Sequence, residues 1–235
     1  RVDPDGHADI SPGGGCEGNP EGCKKRYVEG KAGAILKRLG GQNDLEAMAQ
    51  IIDTAASVYN DYEEMLPVLT GIFNGQGGSN PNTLINAAFG NTGCNGVGRD
   101  PGDCAANVGV GQHFADTGFH SDFRDRHNQL FHFWAYLATV SSSEWKVPLV
   151  GQMLGLIVGE VGNTYHEILV QDSQSTWQDY GLAASGMETG LFIGLGFIPP
   201  NQLGGYLRDT LGPYGYGSYG FVPAFISLFP LMGNR

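Results

Sequence analysis

The sequence predicts a mainly α-helical domain, orthogonal or bundle-like in architecture, with buried Gly-rich helices and disulfide-stapled loops. Three segments carry apolar residues at the 3.6-residue period of an α-helix, whereas the period-2 alternation typical of strands is nearly absent. The chain has 235 residues, enough to bury a substantial core without help from disulfides. The predicted core helices span residues 122–140, 147–170 and 176–195.

The N-terminal residues 1–26 are predicted to form a polar junction or tether. Up to residue 23 the chain combines Pro, Gly, Asp and Asn with almost no apolar side chain, and such a composition cannot bury itself. A short basic amphipathic helix is expected from about Tyr27 to Leu39, ended by two glycines. A helical domain is therefore expected to begin at residue 27 and to extend to residue 212.

Two further helices are expected before a long loop. Asn43 or Asp44 can cap a helix that the apolar periodicity extends to about Glu64. Pro67 is expected to begin a second helical stretch, because proline is tolerated in the first turn. Residues 74–120 are dense in Gly, Asn, Asp and Pro, which predicts a functional loop or a stapled excursion.

The three core helices differ in their side-chain patterns. The segment 122–140, which Ser121 or Asp122 can cap, is apolar on more than one face, as expected for a buried helix. The other two carry small residues at helical spacing. Each interior glycine costs about 1 kcal/mol relative to alanine, so a repeated set on one face predicts the close approach of another backbone. These small residues are Gly151, Gly155 and Gly159 in one helix, and Ala183, Gly186 and Gly190 in the other.

The C-terminal region has two parts. One short amphipathic turn is expected at residues 202–211, and an aromatic and apolar tail follows at 213–235. The tail starts with a flexible Tyr/Gly linker and ends in an apolar run. That run either docks on the core or forms a hydrophobic patch for a partner.

Four cysteines lie in two short, Gly/Pro-rich brackets, Cys16–Cys23 and Cys94–Cys104. Zinc ligands usually come in pairs two to four residues apart, whereas these spacings leave loops whose ends can meet at disulfide distance. Two local disulfides are therefore favoured over a metal site. Because disulfides persist in oxidising compartments, the protein is expected to be secreted or extracellular.

The composition also limits the expected partners. The formal net charge is −11, so the average surface repels the phosphate backbone of nucleic acids and anionic lipids. No run of about 18 apolar residues occurs, so a membrane-spanning helix is not expected. The chain begins at Arg1 within a polar segment, and it is interpreted as a piece of a longer product.

Candidate catalytic groups come from polar residues on the buried helices. His132 belongs to a polar stripe on the helix 122–140, and Glu160 belongs to a similar stripe on 147–170. A carboxylate desolvated at Glu160 would have a raised pKa, as a general acid requires, and His132 or Asp179 could complete the site. The alternative is a satisfied hydrogen-bond network that fixes the register of the helices.

The opening residues Val2-Asp3-Pro4-Asp5-Gly6-His7 resemble the end of the core module of Rhs/YD-repeat proteins. These are large secreted shells in which a D-P-x-G element closes the shell and a variable C-terminal domain, often a toxin, follows. The segments 128–133 and 179–181 also resemble uncharacterised helical domains at the ends of such proteins. The resemblance implies an effector-like domain with an immunity-type protein as partner, and hydrolysis of a cell-envelope substrate is the chemistry expected.

Two alternatives remain open at the sequence level. Asp3, Asp5 and Asp9 form a D-x-D-G-x-x-D pattern that suits calcium, although the loop is shorter than an EF-hand loop; otherwise no cofactor is expected. The alternative function is a non-enzymatic secreted structural protein. It would self-assemble as a homo-oligomer through its Gly-faced helices and aromatic C-terminus.

Overall fold

A computed structural model describes residues 19–74, 117–124, 129–141 and 177–215. Within these residues the chain forms six α-helices and two short 3₁₀ turns, with no strand, which confirms the mainly helical prediction. The 3₁₀ turns are Ser121–Phe123 and Pro200–Gln202. The helices are α1 (Pro20–Leu39), α2 (Asp44–Ala56), α3 (Tyr62–Asn74), α4 (Gln129–Ser141), α5 (Trp177–Gly194) and α6 (Leu203–Leu211).

Helix α1 begins seven residues before the predicted start at Tyr27, so residues 20–26 are helical and not part of a tether. Asn19 is the N-cap, and its side chain accepts a hydrogen bond from the Gly22 backbone N–H at 2.8 Å. Pro20 fits the first helical position because its missing N–H would have no partner there. The Asn19 cap and Pro20 at the first helical position favour a helix here despite the polar composition of the segment.

The prediction of one helix from Asp44 to Glu64 was wrong. Helix α2 ends at Ala56, and a turn follows in which Tyr59 is buried. The next helix has its own cap, because the Asp61 carboxylate accepts a hydrogen bond from the Glu64 N–H at 2.9 Å. Pro67 consequently lies inside α3 and not in its first turn.

The predicted helix 122–140 is interrupted near its start. The residues Ser121–Phe123 form a 3₁₀ turn, and Arg124 is extended, with φ −105° and ψ 118°. Asp122 lies within this turn, where its N–H donates to His120 Nδ1 at 3.2 Å, so it does not cap the α-helix. The described part of α4 starts at Gln129.

The main hydrophobic core joins all six helices. In α4 the fully buried Trp134 donates its Nε1–H to the Thr70 hydroxyl of α3 at 3.1 Å, and its ring packs edge-on against Phe73 with centroids 4.7 Å apart. This pairing satisfies the polar edge of a large buried ring. It also fixes α4 against α3.

Helices α4 and α5 approach each other at the predicted glycine face. A Cβ at Gly186 would overlap the Phe133 carbonyl oxygen, and one at Gly190 would lie 2.6 Å from the Leu137 carbonyl oxygen. Both obstacles are backbone atoms that a rotamer change cannot remove. The predicted close approach is therefore confirmed for α5, and α4 of the same chain occupies the face. The other predicted core helix, 147–170 with Gly151, Gly155 and Gly159, lies outside the described residues.

Helix α6 is held on α2 by packing and by charge. A Cβ at Gly204 would overlap the Asp53 carboxylate, so α6 lies directly on α2 at this point. One turn further, Arg208 makes a bidentate pair with Glu46 at 2.7 and 3.0 Å and contacts Asp53 at 2.9 Å. The Arg208 guanidinium lowers the pKa of the Glu46 carboxyl.

The buried Asp44 ties the start of α2 to the distant Thr117. Its carboxylate accepts hydrogen bonds from the Thr117 hydroxyl at 2.6 Å, the Thr117 N–H at 3.2 Å and the Gly41 N–H at 2.8 Å. In return the Thr117 carbonyl accepts from the first two N–H groups of the helix. These helix donors would otherwise lack an intrahelical partner.

Among the described residues no helix has the length and apolar character needed to cross a membrane.

Replacing Gly186 by alanine is expected to destabilise the protein. The added methyl group meets the Phe133 carbonyl, so α4 and α5 must separate, and overpacking of this kind costs about 1–3 kcal/mol. Urea denaturation measures the change in the free energy of unfolding. The matched control is Gly33→Ala on the exposed side of α1, where a Cβ meets no atom within 4 Å and stability should rise by up to about 1 kcal/mol. Equal stability of Gly186→Ala and wild type would refute the close approach.

Replacing Asp44 by asparagine is expected to cost about 1–3 kcal/mol, because the amide offers one acceptor oxygen to a site that supplies three donors. Denaturation midpoints measure the loss. Asp209→Asn removes the same charge from an exposed position on α6 and should change stability by no more than about 0.5 kcal/mol. Similar behaviour of the two variants would show that the Thr117 contact contributes little.

Candidate active site

The structure brings the helices of two predicted site residues together. His132 lies in α4 and Asp179 in α5, and these helices pack against each other. Their side chains, like the whole of Glu160, lie outside what the structure describes. The predicted catalytic set of Glu160, His132 and Asp179 therefore stays a prediction, as does the calcium set of Asp3, Asp5 and Asp9.

Glu188 is the acidic group that the described structure singles out. It lies in the middle of α5 and is half-buried, and its Oε2 atom is shielded from solvent with no hydrogen-bond partner. Burial raises the pKa of this carboxyl to about 7, because the charged form loses hydration that no neighbour replaces. A substantial fraction of Glu188 is therefore protonated at neutral pH.

Tyr206 of α6 is the titratable neighbour of Glu188. Burial is the main cause that raises its pKa to about 12, and the negative charge of Glu188 adds to the rise. A hydrogen bond with the Thr189 side chain acts in the opposite direction. The Thr189 hydroxyl itself donates to the Ser185 carbonyl at 2.8 Å within α5. Tyr206 is thus a neutral hydroxyl beside an acid that changes charge near pH 7.

The glycine contact determines where Glu188 lies around α5. Gly186 and Gly190 face α4, and Glu188 is two residues from each of them. At about 100° per residue, an offset of two residues turns the side chain to roughly the opposite side of a helix. Glu188 is therefore directed away from α4, on the side where α5 meets Tyr206.

An aromatic cluster lies at the C-terminal end of the same helix. Helix α5 ends in a Schellman motif, in which the Phe197 N–H donates to the Phe192 carbonyl and Gly196 has φ 76°. The Phe192 ring contacts Phe197 at 6.0 Å and Tyr206 at 6.5 Å between centroids. The cap places Phe197 beside Phe192, and the Phe192 ring gives Tyr206 an apolar neighbour, in keeping with the raised pKa of Tyr206.

The arrangement can supply a proton donor. A carboxyl with a pKa near the working pH is suited to general acid catalysis. The described residues contain no group of three or more His, Cys, Asp or Glu side chains that could hold a metal ion. The chemistry that a carboxyl with this pKa allows is proton transfer.

Glu188 was not among the site residues predicted from the sequence. The signal was present, since Glu188 and Asp179 are the only acidic residues of the otherwise apolar or neutral helix α5. A carboxylate in the middle of a buried helix is expected to be paired or to have a shifted pKa. The glycine spacing also indicates that Glu188 lies opposite the packed face, because it is two residues from both Gly186 and Gly190.

Cys23 lies in α1, where it is buried and disulfide-bonded. Cys16, Cys94 and Cys104 lie outside the described residues. Pairing of Cys16 with Cys23, and of Cys94 with Cys104, stays a prediction. The Arg26 guanidinium donates to Cys23 Sγ at 3.1 Å.

No family model, curated protein or solved structure matches this chain.

Stability is expected to fall as the pH rises through the range in which Glu188 titrates. The folded-state pKa of about 7 lies above the ordinary value of 4.5, so the folded chain binds this proton more tightly than the unfolded chain does. The contribution is fully present below about pH 4.5 and is lost as the pH rises through 7. Because Glu188 is only half-buried, we expect a loss of about 1–2 kcal/mol between pH 5 and pH 8.

The measurement compares urea denaturation of wild type and Glu188→Gln at several pH values. The amide does not titrate, so wild type should lose stability relative to this variant as the pH rises. Glu63→Gln, on the exposed side of α3, serves as the control and should follow wild type. Parallel pH profiles for wild type and Glu188→Gln would show that the Glu188 pKa is not raised.

Proposed function

We propose that this chain is a secreted, effector-type domain that hydrolyses a cell-envelope substrate, with Glu188 as its proton donor. The observation that carries the proposal is the half-buried Glu188 carboxyl, whose Oε2 atom has no hydrogen-bond partner in the described structure. A carboxyl that serves only to hold helices together is usually hydrogen-bonded when buried. An unpaired one in a protein interior calls for another explanation, and a role in proton transfer is consistent with it.

The electrostatic setting supports the acid role. Burial keeps a substantial fraction of the Glu188 carboxyl protonated near pH 7, and the neighbouring Tyr206 hydroxyl stays protonated. A proton donor of this kind protonates a leaving group in the transition state of a hydrolysis and contributes about 10²–10⁴-fold to the rate. Because α5 is fixed against α4 by its glycines, Glu188 is carried by a rigid element.

The secreted setting is supported by Cys23. A disulfide at this position is typical of proteins that mature outside the reducing cytosol. The Rhs-like opening residues and the net charge of −11 agree with an exported domain that does not bind nucleic acid. The expected partner in the producing cell remains an immunity-type protein.

To test the proposal, the chain is exported to the periplasm of a bacterial host, and the growth and lysis of that host are measured. Wild type is expected to inhibit growth. Glu188→Gln keeps the size of the side chain but cannot donate a carboxyl proton, so its inhibitory activity should be at least tenfold lower, on the order expected for loss of a general acid. Glu63→Gln is the matched control, because it makes the same substitution on the exposed side of α3 and should remain active.

Two results would contradict the proposal in different ways. Full inhibition by a folded Glu188→Gln variant would exclude Glu188 as the proton donor. The variants His132→Ala and Glu160→Gln would then test the remaining predicted residues. Absence of any growth effect by exported wild type would refute the effector function itself. Circular dichroism of each purified variant verifies that it is folded.

A further inference from the structure

We draw no further inference here: the strongest candidate, the exposed apolar patch formed by Leu195 and Phe197 at the C-terminal end of α5, carries nothing because nothing in the structure shows what covers it.

Discussion

The contact between the backbones of α4 and α5 at Gly186 and Gly190 is the constraint on which the rest of the candidate site depends. A side chain at either glycine would meet carbonyl oxygens of α4, so the two helices can lie at this distance in the observed rotational setting only with glycine at both positions. Around the contact, Tyr136 and Val140 of α4 pack against Ala183 and Met187 of α5. The free energy that two interior glycines cost, about 1 kcal/mol each relative to alanine, is offset by this burial.

The rotational setting of α5 determines the environment of the Glu188 carboxyl. With its glycines on α4, helix α5 must direct Glu188 to the other side, where the surroundings desolvate the carboxyl without supplying a partner to Oε2. The position of Tyr206 is set independently, because Gly204 and Arg208 hold α6 on α2. The acid and the hydroxyl are thus brought together by two separate packing contacts and not by a bond between them. In this arrangement the same burial that destabilises the charged form of Glu188 keeps its proton available near neutral pH.

The fold was largely predictable and the site was not. Periodicity predicted α5 and α6 closely, and the glycine spacing predicted the backbone contact, because both signals are local in sequence. Helix boundaries were predicted wrongly where a single capping residue competes with the composition or the apolar periodicity of the surrounding segment. Asn19 caps a helix that begins before its predicted start, and Asp61 caps a helix whose first turn was predicted to continue α2. Arg124 interrupts a segment whose apolar pattern continues through it. Glu188 was missed because its sequence signal, a carboxylate in an otherwise apolar or neutral helix, does not show whether the tertiary structure desolvates it, and the contact with α6, which follows it in sequence, has no local pattern. Thr117 shows the same limit, since no local pattern predicts that its hydroxyl meets Asp44 across 73 residues.

The most direct test of the account is a titration of the Glu188 side-chain carboxyl by carbon-13 NMR in the full chain, with Glu188→Gln used to assign its resonance. The account predicts that this resonance titrates with a pKa near 7, well above the ordinary value of 4.5. A pKa near 4.5 would mean that water or a charged neighbour stabilises the carboxylate. Glu188 would then be an ordinary ionised side chain, and the proposed proton donor would not exist.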